Sequence, residues 1–137
     1  ALEALTKPRF SPGRTLTVKE DGPCLKVCGR ASELTHVVLN LVNNACDAIG
    51  AGDGWVRLET AVDGGTVRLR CIDSGPGVSK ANATRVMEPF FSTKGSDGGM
   101  GLGLPISQHL ARKNRGTLVL LSGTPHTTFE LTLEVAP

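Results

Sequence analysis

The spacing of hydrophobic residues predicts two long helices and a shorter one. Residues 31–50 carry apolar side chains three and four positions apart, with Ser32 as the expected N-cap and Gly50 and Gly52 at the end. A second long helix is predicted over "LGLPISQHLARKN", residues 102–114, and a short one over "KANATRVM", residues 80–87. The long segments are amphipathic, so each is expected to cover another layer of structure.

Alternation of apolar and polar residues predicts strands around these helices. Two short strands are expected in residues 14–22 and 23–29, a hairpin turning at "DGG" in residues 55–73, and a closing pair in residues 116–122 and 127–135. Hairpins imply mostly antiparallel pairing. The order predicts an α/β (α+β) two-layer sandwich, in which about three helices cover one face of a mixed, mostly antiparallel sheet.

Composition is typical of one soluble domain spanning residues 1–137. The chain is 39% hydrophobic and 20% charged, with a net charge of +2 and 4% aromatic residues, which argues against nucleic-acid binding. There is no signal peptide and no apolar run long enough to span a bilayer, so we expect a cytoplasmic domain without direct membrane contact. It is expected to come from a longer parent, which is either soluble or membrane-anchored. The cysteines are expected to be reduced: Cys24, Cys28, Cys46 and Cys71.

One polar stripe runs along the first long helix. Asn40, Asn44 and Asp47 lie at i, i+4 and i+7, and Glu33 and His36 extend the stripe toward the N-terminus. Asparagine is a poor residue for a helix interior because it competes for backbone hydrogen bonds. The stripe is therefore either a solvated face or a set of neutral oxygen ligands for a cation such as Mg²⁺.

Two glycine motifs follow the hairpin and precede the second long helix. Asp73 ends a strand, and Gly75 and Gly77 follow it in D-x-G-x-G spacing, which is either a turn or a close approach of backbone to a flat ligand. The stretch "SDGGMGLGLPIS" places Gly101 and Gly103 directly before a helix N-terminus, whose free N–H groups suit phosphate. It matches neither a P-loop nor a Rossmann turn.

Taken together, the motifs resemble one family. "NLVNNA", "DSGPG", "EPFFSTK", "GMGLGL" and "TTFELTL" occur in this order between residues 29 and 135. The combination resembles the catalytic and ATP-binding domain of two-component sensor histidine kinases, within the gyrase, chaperone, kinase and mismatch-repair ATPase superfamily. Their forms are most similar to nitrogen-regulation and dicarboxylate-sensing kinases. The resemblance implies the Bergerat fold, with ATP and Mg²⁺ as cofactors.

The resemblance also implies roles for individual residues. Asn44 would hold Mg²⁺ on the phosphates, and Asn40 would support it one turn earlier. Asp73 would accept a hydrogen bond from the adenine amino group, and Thr128, or Thr127 as a possible substitute, would bind the same edge. The remaining candidates for nucleotide binding are Asp47, Gly75, Gly77, Phe91, Thr93, Lys94, Gly99, Met100, Gly101, Leu102, Gly103 and Leu104.

The implied activity is transfer of the γ-phosphate of ATP to a histidine on a separate helical hairpin domain of the same dimeric kinase. A response regulator would act downstream. Residues 92–99 would form a mobile lid, and Arg85 and Lys94 are either contacts of the γ-phosphate or surface charges. The alternatives are a serine kinase of the same superfamily, a hydrolysing ATPase clamp, and a degenerate docking module. The clamp is disfavoured because Asn40 stands where hydrolysing relatives carry a glutamate base.

Three positions depart from the family pattern. Asp47 stands where kinases often have lysine, "KNRG" follows the second helix in place of H-G-G, and His126 replaces the glycine before the two threonines. Neither "KNRG" nor His126 removes a primary ligand of the expected nucleotide site. Together the departures leave a weak or modified nucleotide site as an alternative.

Overall fold

The computed structural model describes residues 14–20, 27, 29–50, 53–75, 103–121 and 125–135. The predicted short helix (80–87) and lid (92–99) lie outside this part of the chain. So do several candidate site residues: Gly77, Arg85, Phe91, Thr93, Lys94, Gly99, Met100, Gly101 and Leu102.

Two helices and five strands make up the described structure. In chain order they are β1 (Arg14–Glu20), α1 (Ala31–Ile49), β2 (Gly54–Asp63), β3 (Thr66–Asp73), α2 (Gly103–Lys113), β4 (Thr117–Leu120) and β5 (Thr128–Glu134). Neither helix in these segments has the length and hydropathy needed to cross a membrane.

The sheet is mixed and mostly antiparallel, as predicted. Its strand order is β1-β2-β3-β5-β4, and only the β1–β2 pair among these strands is parallel. β2 and β3 form the predicted hairpin, and Gly64 adopts a φ of 62° in its turn. Val27, in the second predicted strand, forms an isolated antiparallel bridge with Val135. The two N-terminal segments therefore meet different neighbours.

The core lies between the sheet and the two helices. Alternate residues of the strands, such as Val56, Leu58 and Leu131, pack with Val37 and Leu41 of α1, and all are almost completely buried. The two-layer sandwich is thereby confirmed. Cys46 and Cys71 belong to the same cluster and are free thiols, as expected. Burial raises the pKa of the Cys71 thiol to about 12, so it stays protonated at neutral pH.

The prediction that Ser32 caps α1 is wrong. The N-cap is Arg30, whose extended backbone (φ −91°, ψ 121°) precedes Ala31, and no side chain caps the helix locally. A distant residue takes part instead, because the Arg30 N–H donates to Asn114 Oδ1 at 2.8 Å. At the other end Gly50 is the C-cap with a φ of 78°, as predicted.

A polar junction joins the start of α1 to the end of α2. We use this name for Arg30, Glu33, Lys113 and Asn114. Lys113 Nζ lies 3.0 Å from Glu33 Oε2, and Asn114 Nδ2 donates to Leu110 O at 2.8 Å. The hydrogen bond from Lys113 is the main reason that the pKa of Glu33 lies below its ordinary value. "KNRG" thus supplies side-chain contacts between the helices, and Arg115 takes the left-handed conformation (φ 61°) that often ends helices.

Candidate functional site

The asparagine stripe of α1 faces α2 over part of its length. Asn40 Nδ2 donates to Ser107 Oγ at 2.9 Å, and Ser107 is completely buried. His36 and Asp47 are exposed. The stripe is therefore exposed at His36 and Asp47, whereas Asn40 joins the two helices.

The register of the two helices brings Asn44 level with the start of α2. Glu33 contacts Lys113, and Asn40 contacts Ser107, so the helices run antiparallel. Moving from Glu33 to Asn40 advances about 10 Å along α1, while moving back from Lys113 to Ser107 covers about 9 Å of α2. One further turn on each helix leads to Asn44 and to Gly103, the first residue of α2. By this count, two predicted site segments lie at the same level of the helix pair.

The N-terminus of α2 has the electrostatic character that the glycine motif predicts. The first N–H groups of a helix have no partner within the helix, and the peptide dipoles place partial positive charge there. Gly103 and Leu104 occupy this first turn. An anion beside Asn44 would therefore meet N–H donors and an amide side chain together.

Asp73 ends β3 as a buried carboxylate. Only 3% of the residue surface is exposed, and Asp73 Oδ1 accepts a hydrogen bond from the Gly75 N–H at 2.8 Å. Burial raises the pKa of Asp73 above its ordinary value, while the Gly75 N–H and nearby His126 act in the opposite direction. A buried acceptor of this kind suits a ligand that brings its own N–H donor.

The two residues after Asp73 contact two different elements, Ser74 with β2 and Gly75 with α1. Ser74 Oγ accepts the Trp55 N–H at 2.9 Å, and the Ser74 N–H donates to Trp55 O at 3.1 Å. A Cβ on Gly75 would lie 2.8 Å from Asp73 Oδ1 and 3.0 Å from Ala48 O. Glycine is thus required for the loop to pack on the last turn of α1. Because Ala48 is one turn beyond Asn44, Asp73 lies near the same end of α1 as Asn44.

The two threonines before Phe129 differ in their hydrogen bonds. Thr128 Oγ1 donates to His126 O at 3.0 Å. Thr127 O accepts the Asp73 N–H at 3.2 Å, and Thr127 Oγ1 is buried with no partner among the described residues. An unpaired buried hydroxyl is rare in a folded protein and often marks a missing ligand or water. The unsatisfied group next to Asp73 is therefore Thr127.

His126, which departs from the family pattern, packs beside this pocket. Its ring contacts Trp55 edge to face, with 4.9 Å between centroids and 81° between planes. Arg57 lies over the same Trp55 ring at 4.7 Å. The His126 side chain thus packs against Trp55 of β2.

The structure assembles the described candidates around the C-terminal half of α1. Gly75, next to Asp73, packs on Ala48 of this helix, and Gly103 and Leu104 begin the helix whose Ser107 contacts Asn40. Ser107 and Ser74 were missed from the sequence. Ser107 lies four residues after Gly103 and four before Ala111, which is also completely buried, so it occupies an apolar position of α2. A polar residue at an apolar position is the signal that could have identified Ser107.

Comparison with known proteins identifies the family of this fold and site. Residues 29–137 match the model of the histidine kinase-, DNA gyrase B- and HSP90-like ATPases. The chain belongs to this family. Within it, the likeness is to sensor histidine kinases, as the motifs predict.

Three similar proteins illustrate the relationship. The sensory histidine kinase/phosphatase NtrB of Rhodobacter capsulatus is 36% identical over 98% of this chain and 42% of its own length. The C4-dicarboxylate transport sensor protein DctB of Rhizobium meliloti is 33% identical over 96% of this chain and 21% of its own. The crystal structure of full-length ShkA in complex with AMPPNP superposes with a TM-score of 0.82 and 27% identity, over 98% of this chain and 29% of that one. The chain thus spans less than half the length of these proteins.

Proposed function

We propose that this chain binds Mg-ATP beside the C-terminal half of α1 and donates the γ-phosphate to a histidine on another domain of its parent kinase. The observation that carries the proposal is the pair of Asp73 and Thr127. Asp73, a buried carboxylate, ends β3, and Thr127 directly precedes β5, the neighbouring strand. The Thr127 hydroxyl is buried without a partner among the described residues, and one backbone hydrogen bond links the two positions.

The adenine edge fits this pair chemically. The exocyclic amino group is a donor and the neighbouring ring nitrogen is an acceptor, so Asp73 would accept the first and the Thr127 hydroxyl would donate to the second. We therefore assign the threonine role to Thr127 in preference to Thr128, whose hydroxyl already donates to His126 O. ShkA, which binds the ATP analogue AMPPNP, supports a nucleotide in this fold.

The phosphates would lie between Asn44 and the start of α2. Backbone N–H groups of the first turn, at Gly103 and Leu104, would donate to phosphate oxygens. The amide oxygens of Asn44 and Asn40 are hard neutral ligands that suit Mg²⁺, which when bound would neutralise charge on the transferring phosphoryl group. Asn40 itself cannot act as a general base, which favours phosphotransfer to a side chain over hydrolysis.

The acceptor and the partners come from outside these elements. The acceptor would be a histidine on a helical hairpin domain of the same dimeric kinase, and a response regulator would receive the phosphate downstream. NtrB, named as a sensory histidine kinase/phosphatase, supports this class of activity. We place the domain in the cytoplasm, where ATP is available and thiols such as Cys46 and Cys71 stay reduced.

Nucleotide binding can be tested on the chain as it stands. Titration with ADP at millimolar Mg²⁺ should release heat in a calorimeter and raise the melting temperature, because a ligand that binds only the folded state stabilises it. The absence of both signals would contradict the proposal and favour a docking module. Steady release of phosphate from Mg-ATP by the chain alone would instead favour the hydrolysing clamp.

The two threonines provide a sharper test of the site. Thr127→Val keeps the side-chain shape but removes the hydroxyl, so ADP affinity should fall about fivefold to tenfold, the worth of about 1 kcal/mol. Stability should not fall, since the hydroxyl has no partner among the described residues. Thr128→Val is the matched control and should change ADP affinity much less. If Thr128→Val weakens binding more than Thr127→Val, our assignment of the adenine contact is wrong.

A further inference from the structure

We propose that Ser107 is a positioning residue, which orients the side-chain amide of Asn40 so that its oxygen faces the Mg²⁺ site at Asn44. The proposal rests on the function proposed above. It concerns a residue of α2 that contacts Asn40 and is not among the nucleotide contacts assigned so far.

The geometry of the contact sets the orientation of the amide. Asn40 Nδ2 donates to Ser107 Oγ at 2.9 Å. In a carboxamide the nitrogen and oxygen diverge from one carbon, so a nitrogen committed to Ser107 directs the oxygen away from it. The opposite orientation would present N–H groups to a cation, which they would repel.

Burial makes this contact important for Ser107 as well. The residue is completely buried in the apolar face of α2, where a hydroxyl without a partner is costly. A serine within a helix often donates its own proton to the carbonyl one turn earlier, which leaves its lone pairs to accept from another group. The Asn40 amide supplies that donor, so each side chain satisfies the other.

The position of Ser107 connects two parts of the site. It lies one turn after Gly103, where the phosphates are expected, and Asn40 lies one turn before Asn44. A hydrogen bond between the two helices at this level fixes the amide relative to the phosphate end of α2. Removing a partner that orients a metal ligand in this way commonly lowers metal affinity by about 10-fold to 100-fold.

The test is the Mg²⁺ dependence of ADP binding by Ser107→Ala. We expect the Mg²⁺ concentration that gives half-maximal enhancement of ADP affinity to rise about tenfold, as for other residues that orient metal ligands. The affinity for ADP in the presence of EDTA should stay essentially unchanged, because the adenine contacts at Asp73 and Thr127 are not altered. Calorimetry measures both quantities without catalytic turnover.

Two further variants separate positioning from a structural effect. Ala111→Gly loosens the same buried face of α2 one turn later, and it should lower stability without changing the Mg²⁺ dependence. In an Asn40→Ala background, Ser107→Ala should have no additional effect on Mg²⁺, since there is no amide left to orient.

Each outcome bears on one of the two proposals. If the unaltered chain binds ADP without any influence of Mg²⁺, or does not bind it, the proposed function fails. If its binding depends on Mg²⁺ and Ser107→Ala leaves that dependence unchanged, the positioning role is overturned. It is also overturned if Ser107→Ala weakens ADP binding equally with Mg²⁺ and with EDTA, since that result indicates a general loss of packing.

Discussion

Asp73→Asn should weaken ADP binding about 100-fold while the chain remains folded, because hydrogen bonds to charged groups are worth about 1.5–3 kcal/mol. Asparagine can keep the bond that Oδ1 accepts from the Gly75 N–H at 2.8 Å. Its Nδ2 would then replace the second carboxylate oxygen and present a donor to the amino group of adenine, which is also a donor. Calorimetric titration with ADP at millimolar Mg²⁺ measures the loss.

The stability of this variant should move in the opposite direction. Burial raises the pKa of Asp73, so the folded state disfavours the carboxylate relative to the unfolded chain. By linkage, ionised Asp73 lowers the free energy of unfolding above that pKa, and this cost disappears as pH falls through it. Asparagine carries no charge, so Asp73→Asn should be at least as stable at neutral pH.

The combination of weaker binding and unreduced stability identifies a binding role. A matched control is Asp63→Asn, which changes an exposed carboxylate of the same hairpin that pairs with Arg68 at 3.2 Å. The control should bind ADP with unchanged affinity. If Asp73→Asn retains the original affinity, the adenine pocket is not at the end of β3, and the assignment of Thr127 fails with it.

Local patterns were enough to predict most elements of the fold. The apolar spacing over residues 31–50 and the alternation on either side of "DGG" report contacts that each element makes with one core. Gly50 was recognisable as a helix end because the required backbone angle depends on the residue itself. These features are determined by residues close together in the sequence.

The errors and omissions involve contacts between distant segments. Ser32 has the side chain of an N-cap, but Asn114, 84 residues from Arg30, contacts the start of α1 instead. Asn40 belongs by spacing to a polar stripe, but its hydrogen-bond partner Ser107 is 67 residues away on α2. Spacing along one helix cannot reveal which second helix will pack against it.

The candidate site divides in the same way. The motif residues Asn44, Asp73 and Gly103 were predicted from spacing and family resemblance, and their roles in nucleotide binding stay predictions. The difference between Thr127 and Thr128 could not be predicted, because both stand in one strand motif. It depends on which hydroxyl has a partner, which is a property of the folded pocket.

The largest effect on stability away from the core should come from Asn114→Ala. Asn114 is 6% exposed, accepts the Arg30 N–H at 2.8 Å and donates to Leu110 O at 2.8 Å. Alanine leaves the Arg30 N–H without its partner, while Leu110 O keeps the bond from the backbone N–H of residue 114 at 3.1 Å. The free energy of unfolding should therefore fall by about 2 kcal/mol. Urea denaturation at neutral pH measures the change.

Lys113→Ala is the matched control, because it alters the neighbouring residue of the same polar junction. Lys113 reaches Glu33 at 3.0 Å, but its side chain is half exposed, and exposed ion pairs contribute little. This variant should therefore lower stability much less than Asn114→Ala. Equal losses would mean that the buried amide is not the element that secures the junction.

The junction should also affect the candidate site at the other end of the helix pair. It holds the start of α1 against the end of α2, and the same antiparallel register places Asn44 level with Gly103. A weakened junction would let the helices shift, so Asn114→Ala should reduce ADP affinity although Asn114 lies about 16 Å from Gly103, just beyond the far end of α2. Unchanged ADP affinity together with the expected loss of stability would show that the contact between Asn40 and Ser107 is enough to hold this register.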